Sequence, residues 1–523
     1  MMRKYILLFF TLHASLFTLF AQDVNFDLAM RKLNMATVMT NLYYVDSVNI
    51  ERQVEDAING MLSKLDPHSQ YSNAKDTKKM NEPLEGSFEG IGVQFNMLED
   101  TLVVIQPVSN GPSERVGILA GDRIVSVNDT AIAGVKMSRE EIMGRLRGPK
   151  GTKVKLGIVR DGVSGISFFT VKWDKIPVTT LDAAYMVTPE IGLIRFSSFG
   201  QTTFDEVMAA LDKLKAKGMQ KLIIDMQQNG GGLLGAAAEI TSQFLPKGDT
   251  IVFTRGRNIP SQAFISNGGK GWPEGKLAVL IDEYSASAAE ILTGAIQDHD
   301  RGIVIGRRSF GKGLVQRPVD LPDGSMIRLT VARYYTPSGR CIQKPYTKGD
   351  KDSYSMDVIN RYNHGELTNA DSIHFPDSLR YKTCKLGRTV YGGGGIMPDY
   401  FIPLDTTRYT KYYRELSAKS LIINANLRNL DKNRKKLTKQ WTNFEEFKAQ
   451  YEVPDNIIED IMKEGEKQDI KPKDDEEREK TIPLLRRIMK ALTARDLWDM
   501  SEYFSIIYED DPMVLKAVEK LKD

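Results

Sequence analysis

Three short apolar runs, Lys221 to Met226, Leu277 to Asp282 and Gly302 to Gly306, restrict the fold of this chain more than any other feature. Each is too short for a buried helix and shows no alternation with polar residues, so both faces must be covered. Between and before them lie segments of helical period: the amphipathic Phe204 to Ala216, then Leu233 to Leu245, then the Ala-rich Ala286 to Gln297. With Ile191 to Phe196 as a further strand, the alternation predicts an α/β layer built partly on parallel strands over residues 176–404.

A chain of 523 residues needs more than that one core. Residues 1–21 have a basic start (Arg3, Lys4), an apolar stretch to Phe20 and a small exit residue, Ala21. That is the layout of an export signal, and a periplasmic location is expected. Leu19 is bulky for its place before the cut, so an uncleaved membrane anchor is the alternative. Residues 22–83 read as a helical region whose periodic part ends at Asp66-Pro67-His68-Ser69, where Pro67 bars continuation. Residues 84–175 change to short β-rich runs separated by Gly, Asp and Asn turns, with one helical stretch, Ser138 to Arg147. Residues 405–523 carry Lys, Glu and Leu at helical spacing and read as a helical extension, with Lys463 to Glu479 as a solvated charge run. Basic and acidic residues nearly balance, 71 against 68, so charge gives no reason to expect nucleic acid as a partner. Cys341 and Cys384 lack metal-ligand spacing, and their pairing stays open.

Chemistry concentrates where the apolar strands end. Ile281 runs into Asp282-Glu283-Tyr284-Ser285-Ala286-Ser287 and then into the Ala-rich segment. A serine there sits at a strand's carboxyl end and a helix's amino end, where sites collect in open α/β sheets. Ser285 and Ser287 read equally as helix caps. The next strand leads to Phe310-Gly311-Lys312-Gly313, and glycines on both sides let Lys312 enter a confined place. A lysine serves as a base only if desolvation brings its pKa from about 10.4 towards neutrality, and Lys312 also reads as a surface loop residue. Gln316 is placed to orient the amine through its side-chain carbonyl. The third turn, Gln227-Gln228-Asn229-Gly230-Gly231-Gly232, offers backbone N–H groups to an oxyanion. It also suits phosphate, but no Gly-Lys-Ser/Thr element follows. His68, His299, His364 and His374 lie outside any turn that ends a buried strand. No zinc pattern is present, and neither metal nor other cofactor is expected.

Together these stretches resemble the C-terminal processing peptidases, or tail-specific proteases. The matching segments are Leu62 to Ser69, Ser285 to Glu290, Phe310 to Gln316, Tyr334 to Arg340 and Gly395 to Asp399. The resemblance implies a multidomain α/β protein with a crotonase/ClpP-like protease core. It implies Ser287 as nucleophile, Lys312 as general base and Gln316 as its partner, with an oxyanion hole from Ala288 and Gly232 or Gly231. Gln227-Gln228-Asn229-Gly230 departs from the Arg-Asn-Asn-Pro type of turn usual there, and Cys341 stands where a serine is more familiar. Residues 84–175 look like an inserted PDZ domain, with Gly90-Ile91-Gly92-Val93 as the loop that binds a chain-terminal carboxylate. Substrates are then proteins or peptides taken by their C-termini. The helical extension is either a cap or a surface for an adaptor or a second copy. Two other classes fit less well. A non-catalytic peptide-binding protein would not keep all three catalytic residues, and an acyl-CoA enzyme would not need the Ser–Lys pair.

Overall fold

The structure, a computed structural model, describes residues 25–522, so the expected export segment lies outside the described residues. The chain divides into two compact units. The smaller holds the chain up to Thr77 together with Gln316–Thr330 and Tyr346–Ser355; the larger holds Lys78–Val315, Val331–Pro345 and Met356–Asp523.

In the smaller unit, helices over residues 25–43 and Ile50–Leu62 precede the Asp66 turn. Asp66 Oδ1 accepts from the amides of His68 (3.0 Å) and Ser69 (3.2 Å), and Oδ2 accepts from Ser69 Oγ at 2.5 Å. The periodicity predicts a helical region over 22–83, and the structure departs from it after the proline. After the proline, Gln70–Ser72 forms a strand, antiparallel to Met326–Tyr335, with Tyr71 opposite Ile327. The helix ends at Leu62, before Pro67 bars any continuation, and the backbone after the proline finds partners on a strand remote in sequence.

The larger unit begins with the β-rich domain. Strands Val93–Leu98, Thr101–Pro107, Arg123–Val127, Thr130–Ala131, Lys153–Val159 and Ser167–Lys172 form one antiparallel sheet over a core that includes Leu102, Ile124, Ile142 and Leu156. Glu99-Asp100 and Asn128-Asp129 take left-handed φ, as two-residue hairpin loops require. The helical stretch is Arg139–Leu146, capped by Ser138. Entry and exit of this domain pair with each other, Ser87–Gly90 against Asp174–Pro177, so it hangs from a two-stranded stalk.

The central sheet has six strands in chain order: β1 (Leu181–Met186), β2 (Ile191–Phe196), β3 (Lys221–Asp225), β4 (Lys276–Ile281), β5 (Ile303–Gly306) and β6 (Tyr400–Phe401). Only β1–β2 is antiparallel; the other pairs are parallel. The predicted helices appear as α1 (Thr203–Ala216), α2 (Leu234–Ser242) and α3 (Ala288–Asp298). They cover one face through Phe196, Leu211, Ile224, Ala237, Val279 and Leu292.

The opposite face carries Leu193, Ile223, Ala278, Leu280 and Ile305, and its cover comes from the end of the chain. Helix α4 (Pro512–Lys522) lays Met513, Val514, Ala517 and Leu521 on it. The region after 404 is therefore not one extension. Helices between Lys411 and Leu497 build a core of their own around Leu416, Phe447, Ile461 and Leu485, while the last residues complete the α/β layer. The charge run holds the end of one helix, Asp455–Glu466, and the start of another, Asp475–Leu497. Asp475, Glu476 and Glu477 sit in that first turn, where acidic groups are favoured.

Ala517 is fully buried against the sheet. Ala517→Asp should lower stability by about 3 kcal/mol or more, because the carboxylate would be buried without a partner. Thermal unfolding checks this; an unchanged Tm would mean the tail is dispensable cover.

Candidate active site

β4 ends at Ile281, and the turn after it is wound around Asp282. Its Oδ1 accepts from the amides of Gln228 (3.0 Å), Tyr284 (3.0 Å) and Ser285 (3.1 Å). Ser285 Oγ donates to the Met226 carbonyl at 2.7 Å and accepts from the Asp282 amide at 2.9 Å. Ser285 is thus a structural residue of the turn. Ser287 follows at the N-cap of α3 with φ 57° and ψ −113°. A non-glycine residue there carries strain of about 1 kcal/mol or more, which its surroundings must hold.

Glu290 holds it. This carboxylate is 1% exposed. Its Oε2 accepts from the Ser287 amide (2.8 Å) and the Lys312 amide (2.9 Å), and its Oε1 from Ser309 Oγ (2.5 Å) and the Gly311 amide (2.7 Å). One oxygen therefore bonds the backbone of both Ser287 and Lys312. Tyr334 Oη lies at 2.7 Å from the Lys312 carbonyl and 3.1 Å from the Ser287 carbonyl, tying the same residues from their other side. Burial pushes the Glu290 carboxyl up, and its four donors pull it back. The glycines beside Lys312 serve close packing: a Cβ on Gly311 would lie 3.0 Å from the Gly395 nitrogen, and one on Gly313 2.8 Å from the Gln343 nitrogen.

The glycine turn abuts this serine. A Cβ on Gly231 would lie 2.7 Å from Ser287 Cβ and 2.8 Å from the Ala288 nitrogen. Asn229, fully buried, shapes the turn: its Nδ2 donates to the Phe196 carbonyl (2.8 Å), and its backbone carbonyl accepts from the Ala286 amide (2.9 Å). Its Oδ1 accepts from the Gly231 amide at 2.9 Å. Gly231 is therefore corrected as an oxyanion donor, since its N–H is already engaged. The amides of Gly232 and Ala288, among the described residues, have no hydrogen-bond acceptor. Gly232, at φ 148°, could bear no side chain, because its Cβ would fall 2.2 Å from the Phe199 carbonyl oxygen.

Gln316 belongs to the smaller unit, where its Nε2 donates to the His68 carbonyl at 2.6 Å. His68 is itself placed by the Asp66 turn, and its ring nitrogen lies 3.0 Å from Tyr354 Oη. His299 caps the far end of α3, a helix of 11 residues, with Nε2 on the Thr250 carbonyl at 2.7 Å. At about 1.5 Å per residue, the twelve steps along α3 hold it about 18 Å from Ser287, which removes it as a base for that serine. Cys341 and Cys384 are free thiols. Among the described residues no cluster of ligands fits a metal ion.

In the β-rich domain, the Ile91 carbonyl accepts from Ser113 N and Oγ, and the Gly92 carbonyl from the Val108 amide. The amides of Ile91 and Gly92, among the described residues, have no such partner. Gly90 closes the stalk opposite Asp174, and Val93 opens the edge strand Val93–Leu98.

Glu290 is the residue that sequence reasoning passed over. Its signal was an acid three residues after Ser287 inside an otherwise apolar segment, a pattern that also reads as a capping box.

The chain is similar to known proteins in three regions. Peptidase family S41 matches residues 190–352, a PDZ domain matches 90–165, and a family of unknown function matches 412–499. The chain is 38% identical over 305 residues to a carboxy-terminal-processing protease of Bartonella bacilliformis, covering 57% of this chain and 69% of that one. It is 34% identical over 357 residues to carboxy-terminal processing protease CtpA of Bacillus subtilis, covering 66% and 74%. Among solved structures it is similar to the photosystem II D1 C-terminal processing protease, with 29% identity, a TM-score of 0.35, and coverage of 58% and 82%.

Two outcomes are expected. Glu290→Gln turns an NH2 group towards N–H donors and should lower turnover at least about tenfold, with Glu290→Ala stripping four buried donors and unfolding more easily still. Steady-state kinetics beside thermal melts would separate the two; full activity in Glu290→Gln would remove the clamp from the site. Burial holds the Asp282 carboxyl up at about 6, above its ordinary 3.8. Its contribution to stability is then complete below about pH 4 and lost as pH rises through 6, by roughly 3 kcal/mol at most. Melts of wild type and Asp282→Asn between pH 4 and 7.5 should show that decline in the wild type alone.

Proposed function

The chain belongs to peptidase family S41 and is a carboxy-terminal processing serine protease, and from that membership we propose which residues carry the reaction. Ser287 is the nucleophile, Lys312 the general base, and Gln316 the residue that orients the lysine amine. The amides of Gly232 and Ala288 form the oxyanion hole. As Ser287 Oγ bonds to the scissile carbonyl carbon, the neutral amine of Lys312 takes its proton, and the carbonyl oxygen gains the negative charge that the two amides hold. The lysine returns the proton to the leaving amine as the C–N bond breaks, leaving an ester on Ser287. Water, deprotonated by the same lysine, then attacks the ester carbonyl, and the lysine passes that proton to Ser287 Oγ as the ester C–O bond breaks. The amino end of α3 adds its partial positive charge beside the oxyanion.

The observation that carries this reading is the shared Glu290 oxygen. It joins the backbone of Ser287 to that of Lys312, beside two amides with no acceptor of their own.

Substrates are exported proteins and peptides, taken by their C-termini. The match to a PDZ domain supports this, as do the amides in the loop Gly90-Ile91-Gly92-Val93 and the open edge of Val93–Leu98, to which a peptide strand can add. The mostly parallel sheet flanked by helices on both faces suits a crotonase/ClpP-like core. The basic start and apolar stretch of residues 1–21, laid out as an export signal is, support a periplasmic location. Helices between Lys411 and Leu497 are the part of the extension left to meet an adaptor or a second copy.

Digestion of an unfolded protein with an apolar C-terminus tests the assignment. Wild type should cut it, while Ser287→Ala and Lys312→Ala should each fall by about a thousandfold or more with unchanged melting. Cleavage by Lys312→Ala at the wild-type rate would sink the Ser–Lys mechanism.

A further inference from the structure

The end of the chain reaches the strand that feeds the glycine turn. Tyr508 follows the helix Met500–Ile507, and its hydroxyl donates to Asp225 Oδ2 at 2.7 Å. Asp225 is the last residue of β3 and is fully buried. The same oxygen accepts from Arg195 Nη1 at 2.7 Å, and Arg195 Nη1 also lies 2.9 Å from Tyr508 Oη. The remaining atoms of this group hold one residue: Asp225 Oδ1 accepts from the Gln227 amide at 2.9 Å, and Arg195 Nη2 donates to the Gln227 carbonyl at 3.0 Å. Phe504 supports the guanidinium, with its ring centre 4.8 Å away. Asp182 adds a second carboxylate at 3.3 Å from Arg195 Nε.

Gln227 begins the turn that ends in Gly232. We propose that Tyr508 is a positioning residue: through Asp225 and Arg195, the C-terminal tail sets the geometry of residues 227–232 and so the aim of the Gly232 amide. This rests on the assignment of Gly232 as an oxyanion donor. Without the phenol, Asp225 Oδ2 keeps Arg195 alone and is free to swing towards it. Oδ1, on the same carboxylate, then leaves the Gln227 amide, and the turn follows. Small errors in the position of such a donor lower turnover far more than they lower stability. Burial pushes the Tyr508 hydroxyl well above its ordinary range, so it remains a donor wherever the protein is folded.

Tail residues that cover the sheet supply the control, since Met513 packs on the same face with a side chain that cannot donate to Asp225 as the phenol does. In the full chain, Tyr508→Phe should lower kcat about tenfold with KM within about twofold of wild type. It should also speed amide exchange at residues 227–232. Met513→Ala should lower Tm and leave kcat within about twofold. The proposal is overturned if Tyr508→Phe keeps wild-type kcat, or if Met513→Ala loses kcat equally, which would make the tail a cover alone. If wild type fails to cleave, the oxyanion assignment is what falls. Exchange at 227–232 then decides the positioning claim by itself, and unchanged exchange in Tyr508→Phe would end it.

Discussion

The site depends on one buried carboxylate. Ser287 and Lys312 lie on separate segments, one entering α3 and one leaving β5, and neither segment alone fixes where its backbone sits. Glu290 accepts from both, and from Ser309 and Gly311 as well. A carboxylate is suited to this, having two oxygens with about four lone-pair directions, all filled here by donors. Burial makes the arrangement all-or-none: inside the protein each bond is strong, and each missing bond leaves a donor with no water to replace it. The strained backbone of Ser287 persists because this set of bonds leaves it no alternative.

Much of this was visible in the residues, and the rest was hidden for definite reasons. The apolar runs around Ile223, Val279 and Val304 could be buried only as covered strands, and they are β3, β4 and β5. Turns at strand ends likewise pointed to Ser287, Lys312 and the glycines, since local geometry there follows from local residue types. Partnerships across the chain were not legible. Nothing near Gln70-Tyr71-Ser72 says that its backbone pairs with residues 326–328. Nothing near Gly231 says that Asn229 will take its amide, because Asn229 could as well face solvent. The spacing of Met513, Val514, Ala517 and Leu521 marks an apolar helix face, but only the fold shows which sheet lies under it.

That sheet changes the standing of the chain's end. A mostly parallel layer needs helices on both faces, and α1, α2 and α3 supply only one. The second face stays open until residues far beyond the catalytic segments return to it. During synthesis the strands bearing the serine and lysine turns are complete long before their cover exists. The α/β layer therefore cannot reach its final packing until Pro512–Lys522 has been made.

The two-stranded stalk beneath the β-rich domain has a different consequence. Ser87–Gly90 and Asp174–Pro177 run side by side, and the Val178 amide donates to the Gly86 carbonyl at 2.9 Å. To the rest of the chain, everything between them is a hairpin loop whose ends already touch. The entropy of closing such a loop rises only slowly with its length, and here the paired ends have settled it in advance. The domain is thus a module in the strict topological sense. In chain order it is one insertion between neighbouring strands, and a further tie to the helical region is the Arg123 Nη2 bond to Asp431 Oδ2 at 2.6 Å.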